Sequence, residues 1–187
     1  EGSGQHEMLR ALVGIIAPTS GTIERRGDVC FVPEDRHRDA LILDFSLTEN
    51  VALRGAGARN GRVPWRDMTR ATRELMARHD VRASGPEAPA RSLSGGNQQK
   101  LIIGRELAGS PAALVVENPT RGLDIAATAA VHAQLLEARD AGAALVMYSS
   151  DLDEVLTLAD RMVVMHAGVL RSVGLDREAV GAAMLGL

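Results

Sequence analysis

Apolar positions along the chain alternate between helical spacing and short unbroken runs. Leu9, Leu12 and Val13 share one face of a predicted helix over residues 8–13, with Gly14 as its stop. Residues 18–21 (Pro-Thr-Ser-Gly) form a turn, and residues 29–32 are a short apolar strand closed by Pro33. Ser46-Leu47-Thr48-Glu49 has capping-box spacing and predicts a helix reaching about Leu53. After a loop over residues 55–64, Trp65, Met68, Thr72, Leu75, Met76 and His79 fall in one helical stripe. That stripe reads as core, with His79 closing the helix at its negative pole. A second loop over residues 84–89 precedes a helix over residues 97–108, stopped by Gly109. Residues 114–116 are a strand buried on both faces, 125–140 a helix, and 144–148 a strand. Ser150 caps a helix over 151–159; residues 162–165 and 169–173 make a hairpin about His166-Ala167-Gly168, and the last dozen residues are helical. Alternating helices and strands define an α/β fold with a mainly parallel sheet.

Composition adds limits. A chain of 187 residues is one domain or most of one. Only four residues are aromatic, so Leu, Val, Ile, Met and Ala must build the core. A net charge of −3 gives no electrostatic footprint for nucleic acid. Cys30, the single cysteine, has no internal disulfide partner and reads as strand packing in a reducing compartment. No apolar run approaches the roughly 18 residues of a membrane span, and no charged-then-apolar leader opens the chain. The expected compartment is the cytosol, with any membrane contact made through a partner.

The densest chemistry lies in Ser92-Leu93-Ser94-Gly95-Gly96-Asn97-Gln98-Gln99-Lys100 and in Leu114-Val115-Val116-Glu117-Asn118-Pro119-Thr120-Arg121-Gly122-Leu123-Asp124. Two glycines before a helix let backbone approach a phosphate, while Ser94 and the free N–H groups of the first turn donate to it. The helix dipole adds roughly half a positive charge at that end. An N-capped helix after a Gly turn is the plainer reading of Ser-Gly-Gly by itself. Together with the buried strand and Pro-Thr-Arg-Gly-Leu-Asp turn that follow, the segment resembles the signature motif, Walker B strand and D-loop of an ABC-type ATPase. Val32-Pro33-Glu34-Asp35-Arg36-His37-Arg38 and residues 43–50 extend the resemblance nearly end to end. They are similar to the ATP-binding subunits of ABC importers of the sugar and nucleoside class, more to the nucleoside branch.

The resemblance implies a P-loop NTPase-type α/β core, residues 1–45 and 110–187, with a helical subdomain inserted over about 46–109. Such subunits usually carry two nucleotide-binding domains, and this chain resembles the second. ATP and Mg²⁺ then lie between the P-loop of one domain and the signature of the other. Ser94, Gly95, Gly96, Asn97 and Gln98, with Asp124 of the D-loop, would serve ATP held by the partner domain.

The chain's own site departs from that pattern. Gly2-Ser3-Gly4-Gln5-His6-Glu7 aligns with the end of a P-loop, but Gln5 and His6 stand where Lys and Ser/Thr are expected. A neutral hydrogen bond is worth about 1 kcal/mol against roughly 1.5–3 for a charged one. A His nitrogen suits Mg²⁺ poorly, because the ion prefers oxygen. Glu117 replaces the Walker B Asp, and Asn118 the Glu that orients or deprotonates water. Loss of a general base costs about 10²–10⁴ in rate. Glu34 occupies the Q-loop position and Ser150 the switch-histidine position. Glu117 beside Asn118 is equally readable as a strand-end carboxylate without a metal. These positions imply little hydrolysis in the chain's own P-loop and no metal held there.

The implied partners are a first nucleotide-binding domain, integral-membrane permease subunits and, indirectly, an extracytoplasmic substrate-binding protein. Residues 34–50 would touch the permease, although Arg36, His37 and Arg38 also read as a solvated, internally paired loop. Two other classes stay open: a non-hydrolysing nucleotide-binding or dimerisation module, and a soluble ABC ATPase of repair or translation. Against the last, fewer than about 60 residues separate Glu34 from Ser92, without heptads or a cysteine pair. The alignment places the chain's start inside the P-loop, so the first β-rich segment is expected to be missing and the isolated piece marginally stable and inactive.

Overall fold

A computed structural model describes residues 2–186. Three strands form a parallel sheet in the order β1-β2-β3: β1 (Val29–Val32), β2 (Ala113–Glu117) and β3 (Ala144–Tyr148). Val32 pairs with Val116, and Glu117 with Tyr148, so the C-terminal ends of the strands meet in register. β2 lies in the middle with Leu114, Val115 and Val116 at most 2% exposed, which is why it reads as a continuous apolar run. α1 (Gln5–Val13) packs against β1 and β2, and α5 (Gly95–Leu107) against β1 and α6 (Ile125–Asp140).

Residues between β1 and β2 are mostly helical. α2 (Arg36–Asp39) is a single turn whose N-cap Asp35 accepts from the His37 and Arg38 backbone. The segment read as a loop is therefore locally ordered. α3 (Leu47–Ala52) carries the expected capping box, with Ser46 and Glu49 bonded reciprocally. Fully buried Asn50 ties its Oδ1 to the Ile42 N–H at 2.9 Å and its Nδ2 to the Ile42 and Ser46 carbonyls, each at 3.0 Å. α4 (Trp65–Arg78) buries Thr72 and Leu75, but Trp65 is 49% exposed. It is in phase with the stripe, yet it sits at the first helical position, beyond the layer that covers the rest.

His79 caps α4 and is buried over Gly104, where an added Cβ would lie 2.6 Å from the imidazole Cδ2. Burial chiefly, with Arg78 adding to it and Glu137 opposing, pushes the imidazole below its ordinary pKa. His79 thus closes α4 as expected, as a packed ring whose burial favours the neutral form. Just beyond it, Lys100 is 7% exposed, with Nζ on the carbonyl of Asp80 and 3.1 Å from its Oδ2. Asp80 takes a left-handed φ of 48°, which turns its carbonyl toward the amine.

The remaining strands, β4 (Met162–His166) and β5 (Val169–Val173), pair only with each other among the described residues. Residues 162–165 therefore do not extend the parallel sheet. Ala167 and Gly168 have φ of 48° and 80°, the two-residue turn that suits hairpin twist. α7 (Leu152–Leu158) and α8 (Arg177–Met184) complete a second small core around Met162, Val164, Val180 and Ala183. The cap of α7 is Asp151, which accepts from Asp153 and Glu154, and not Ser150. Among the described residues, no helix is long and apolar enough to cross a membrane.

Candidate functional site

The C-terminal ends of β1, β2 and β3 converge with the start of α1, bringing the own-site positions together. Gly4 adopts φ 97° and opens α1 without a side-chain cap. Gln5 is 6% exposed and folds inward: its Oε1 accepts from Ser3 N at 3.1 Å and its Nε2 donates to the Tyr148 hydroxyl at 3.4 Å. The Gln5 side chain is thus held against Ser3 and Tyr148 inside the fold. His6 Nδ1 lies 3.2 Å from Oε1 of Glu117, and its ring meets Tyr148 edge to face at 5.6 Å. Glu117 is 2% exposed, Glu7 is exposed and Gly2 is exposed with φ 80°.

Beside that pair lies a second one. Asn118 has φ 42° at the end of β2, a conformation Asn tolerates better than most residues. Its Nδ2 donates to Glu34 Oε2 at 2.8 Å, and its Oδ1 accepts from Ser150 N at 2.8 Å. Glu34 also pairs with the Arg121 guanidinium. A cavity of about 400 Å³ opens here, lined by His6, Arg10, Glu34, Arg38, Asp39 and Glu117 among others. Arg38 and Arg10 both reach Asp39, and chiefly the Arg38 hydrogen bond holds its carboxyl below the usual carboxylate range.

This donor set does not fit Mg²⁺. The ion wants near-octahedral oxygen ligation. Here a ring nitrogen abuts the Glu117 carboxylate and Glu34 is spent on Arg121 and Asn118. Asn118 itself is a neutral amide and cannot act as a base toward water.

The signature segment is arranged otherwise. Ser94 N-caps α5, and its exposed hydroxyl accepts from Asn97 N at 3.4 Å and Asn97 Nδ2 at 3.0 Å. Its own proton is left to donate outward. Asn97 Oδ1 also accepts from Arg82 N at 2.9 Å, and buried Gln98 bonds His37 at 2.9 Å and the Ala90 carbonyl at 3.3 Å. These two side chains are spent inside the fold, so the outward chemistry comes from Ser94 and the backbone of Gly95 and Gly96. A Cβ on Gly96 would stand 2.7 Å from the Ala127 Cβ, whereas one on Gly95 would meet only ordinary contacts with Arg36 and Leu123. Gly96 is therefore demanded by helix packing as well. Asp124 caps α6 through Ala127 N at 2.8 Å, with Ile125 beside it 91% exposed.

Arg121 and Tyr148 take part in these arrangements and were not singled out from the sequence as site groups, whereas His37, read as permease-facing or solvated, bonds Gln98 instead. Arg121 has one cue, its place in the turn directly after Asn118; Tyr148 has none, since its partners come from distant segments.

Residues 1–121 match the family described as ABC transporter, and the chain belongs to that family. It is 39% identical over 191 residues to the nucleoside import ATP-binding protein NupA of Lactococcus lactis subsp. cremoris (strain MG1363), covering 92% of this chain and 38% of that protein. It is 38% identical to the guanosine import ATP-binding protein NupO of Bacillus subtilis (strain 168), covering 90% of this chain and 36% of that one. The chain thus spans under two fifths of either relative. In fold it is similar to a dimeric ATP-binding cassette in a post-hydrolysis state bound to ADP and Pi, with TM-score 0.76 and 22% identity, over 94% of this chain and 82% of that one.

Proposed function

We propose that this chain is an ATP-binding domain of an ABC importer for nucleosides or simple sugars, that its own site is silent, and that it completes the ATP site of a partner nucleotide-binding domain. One contrast carries the reading. Glu117 and Glu34 are consumed by His6, Arg121 and Asn118, while Ser94 and the start of α5 stay open to solvent. The names of the two relatives support the import role, and the fold likeness to a dimeric cassette supports a composite site.

In this reading Ser94 donates to the terminal phosphate of ATP on the partner's P-loop, and the N–H groups of the first turn of α5 add to it. Asp124 and Gly122 approach the same site from the next turn. Bound there, Mg²⁺ neutralises phosphate charge; the ligands come from the partner domain. Residues 46–109 act as the helical subdomain, and residues 34–50 face the permease, which itself receives cargo from an extracytoplasmic binding protein. The assembly then works at the cytoplasmic face, and the isolated chain does not turn over ATP.

The test is ATP turnover by the full-length, assembled importer. Gly95→Asp places a carboxylate at the phosphate position, where there is room for it, and should abolish turnover. His6→Ala, in the silent site, should leave turnover unchanged. The reverse pattern would sink the reading. Gly96→Asp is a poorer choice, because it would also force apart α5 and α6.

A further inference from the structure

Glu154 lies in the first turn of α7, four residues after Ser150, with its side chain 3% exposed. Its Oε1 accepts two hydrogen bonds: from the Thr120 hydroxyl at 2.8 Å and from His132 Nε2, carrying its proton, at 2.8 Å. No donor among the described residues reaches Oε2, which is also buried. A buried carboxylate is costly when incompletely satisfied. Retaining one here calls for a function that an apolar residue of the same size would not serve.

Glu154 and its two partners define that function. Thr120 belongs to the turn leaving β2, His132 to α6 and Glu154 to α7. The same two turns are joined a second time, four residues upstream on the switch side, by Ser150 N donating to Asn118 Oδ1. Asn118 N also donates to the Tyr148 carbonyl at 2.7 Å. The chain between Thr120 and Asp124 is also held elsewhere: the Arg121 N–H donates to the Asn118 carbonyl at 3.1 Å, the Arg121 carbonyl accepts from Arg36 at 3.3 Å, the Arg121 guanidinium pairs with Glu34, the Leu123 N–H returns to the Thr120 carbonyl at 3.0 Å, and Asp124 caps α6. The Thr120 hydroxyl is the point at which this turn is tied to the buried carboxylate of α7.

We propose that Glu154 is a positioning residue, a buried clamp that fixes the turn over residues 119–124 and so places Gly122 and Asp124 for the partner's ATP site. The inference rests on the in-trans reading above. Through the clamp, a shift of the segment after Ser150 reaches the turn that crosses to the partner, which links the silent site mechanically to the active one.

The experiment measures ATP turnover of the full-length assembled importer against ATP concentration for Thr120→Val, Thr120→Ser, Glu154→Ala and the Thr120→Val/Glu154→Ala double variant, with thermal unfolding of each. Misplacing a reacting group by about 1 Å costs up to about 10²-fold, so Thr120→Val and Glu154→Ala should lower kcat by roughly tenfold or more. KM for ATP should hold, because the turn adds to the transition state rather than to nucleotide capture. Thr120→Ser keeps the hydroxyl and should retain kcat, and the double variant should be no worse than Glu154→Ala. A Thr120→Val protein with a lowered melting temperature but full kcat overturns the clamp, as do additive losses in the double variant. Gly95→Asp run alongside separates the two ideas. If it abolishes turnover while Thr120→Val does not, only the clamp fails; if it has no effect, the in-trans reading fails and takes the clamp with it.

Discussion

Replacing Gly96 by Ala puts a methyl group 2.7 Å from the Ala127 Cβ, where carbon atoms normally rest about 3.5–4.0 Å apart. The neighbour is the Cβ of a helical residue, so it cannot swing aside; α5 and α6 must separate by about 1 Å. Forcing an extra methyl into a packed contact costs about 1–3 kcal/mol. Ala gains up to about 1 kcal/mol over Gly in a helix, leaving a net loss of about 0–2 kcal/mol. The double variant Gly96→Ala/Ala127→Gly removes the clash, so the interaction energy in the cycle should be about 1–3 kcal/mol in the stabilising sense. Urea unfolding of the full-length protein gives the four stabilities. If the chain completes a partner's ATP site as proposed, the same separation should lower ATP turnover in the assembly, because α5 opens at Ser94 and α6 at Asp124, and Ala127→Gly should restore it. Gly95→Ala, which has room, should cost no such packing energy. A coupling energy indistinguishable from zero would refute this account of Gly96.

Ala167 holds φ 48° at the hairpin tip, so Ala167→Gly should raise stability by a fraction of about 1–2 kcal/mol, the usual penalty for a left-handed Ala; an unchanged urea midpoint would argue against strain there. Cys30 is 5% exposed and burial pushes its thiol up to about 12, with the nearby Arg54 only partly opposing. Iodoacetamide at mildly alkaline pH should therefore leave it unlabelled in the native protein and modify it on denaturation; equal rates in both states would contradict the burial. His79 is depressed in the fold, so its neutral form is the folded form. Its contribution is fully present above the ordinary value of 6.5 and is lost as pH falls below it, where the unfolded chain takes up a proton that the folded one refuses. The unfolding midpoint of the wild type should fall more steeply below pH 6.5 than that of His79→Asn, and parallel curves would assign the pH dependence elsewhere.

What could be read from the sequence was what depends on local spacing. β1, β2 and β3 are short apolar runs flanked by turns, and the capping box at Ser46 and Glu49 needs only four consecutive residues. The substitutions at Gln5, His6, Glu34 and Asn118 were visible because a motif fixes the expected chemistry. Their mutual satisfaction was not. His6 and Glu117 are 111 residues apart, and Asn118 and Glu34 are 84 apart, so only the sheet register brings them together. His132 offered no signal, since its partner Glu154 looks like any exposed carboxylate in a helix's first turn until α6 covers it. The inward turn of Gln98 was equally hidden, because its partner His37 belongs to a segment that read as a solvated loop. Trp65 shows the converse failure: its spacing was right, but no layer lies over the first turn of α4.

The burial of Lys100 gives this protein an uncommon surface. The chain's 21 basic residues comprise this one lysine and arginines otherwise, and its ammonium is folded onto Asp80. Outside histidine, every exposed side-chain cation is a guanidinium, which neither loses its proton in ordinary buffers nor reacts with amine-directed reagents. Acylation, reductive methylation and lysine-directed cross-linking therefore have no exposed lysine on which to act. Arginine-directed dicarbonyls are the reagents that would map this face of the assembly.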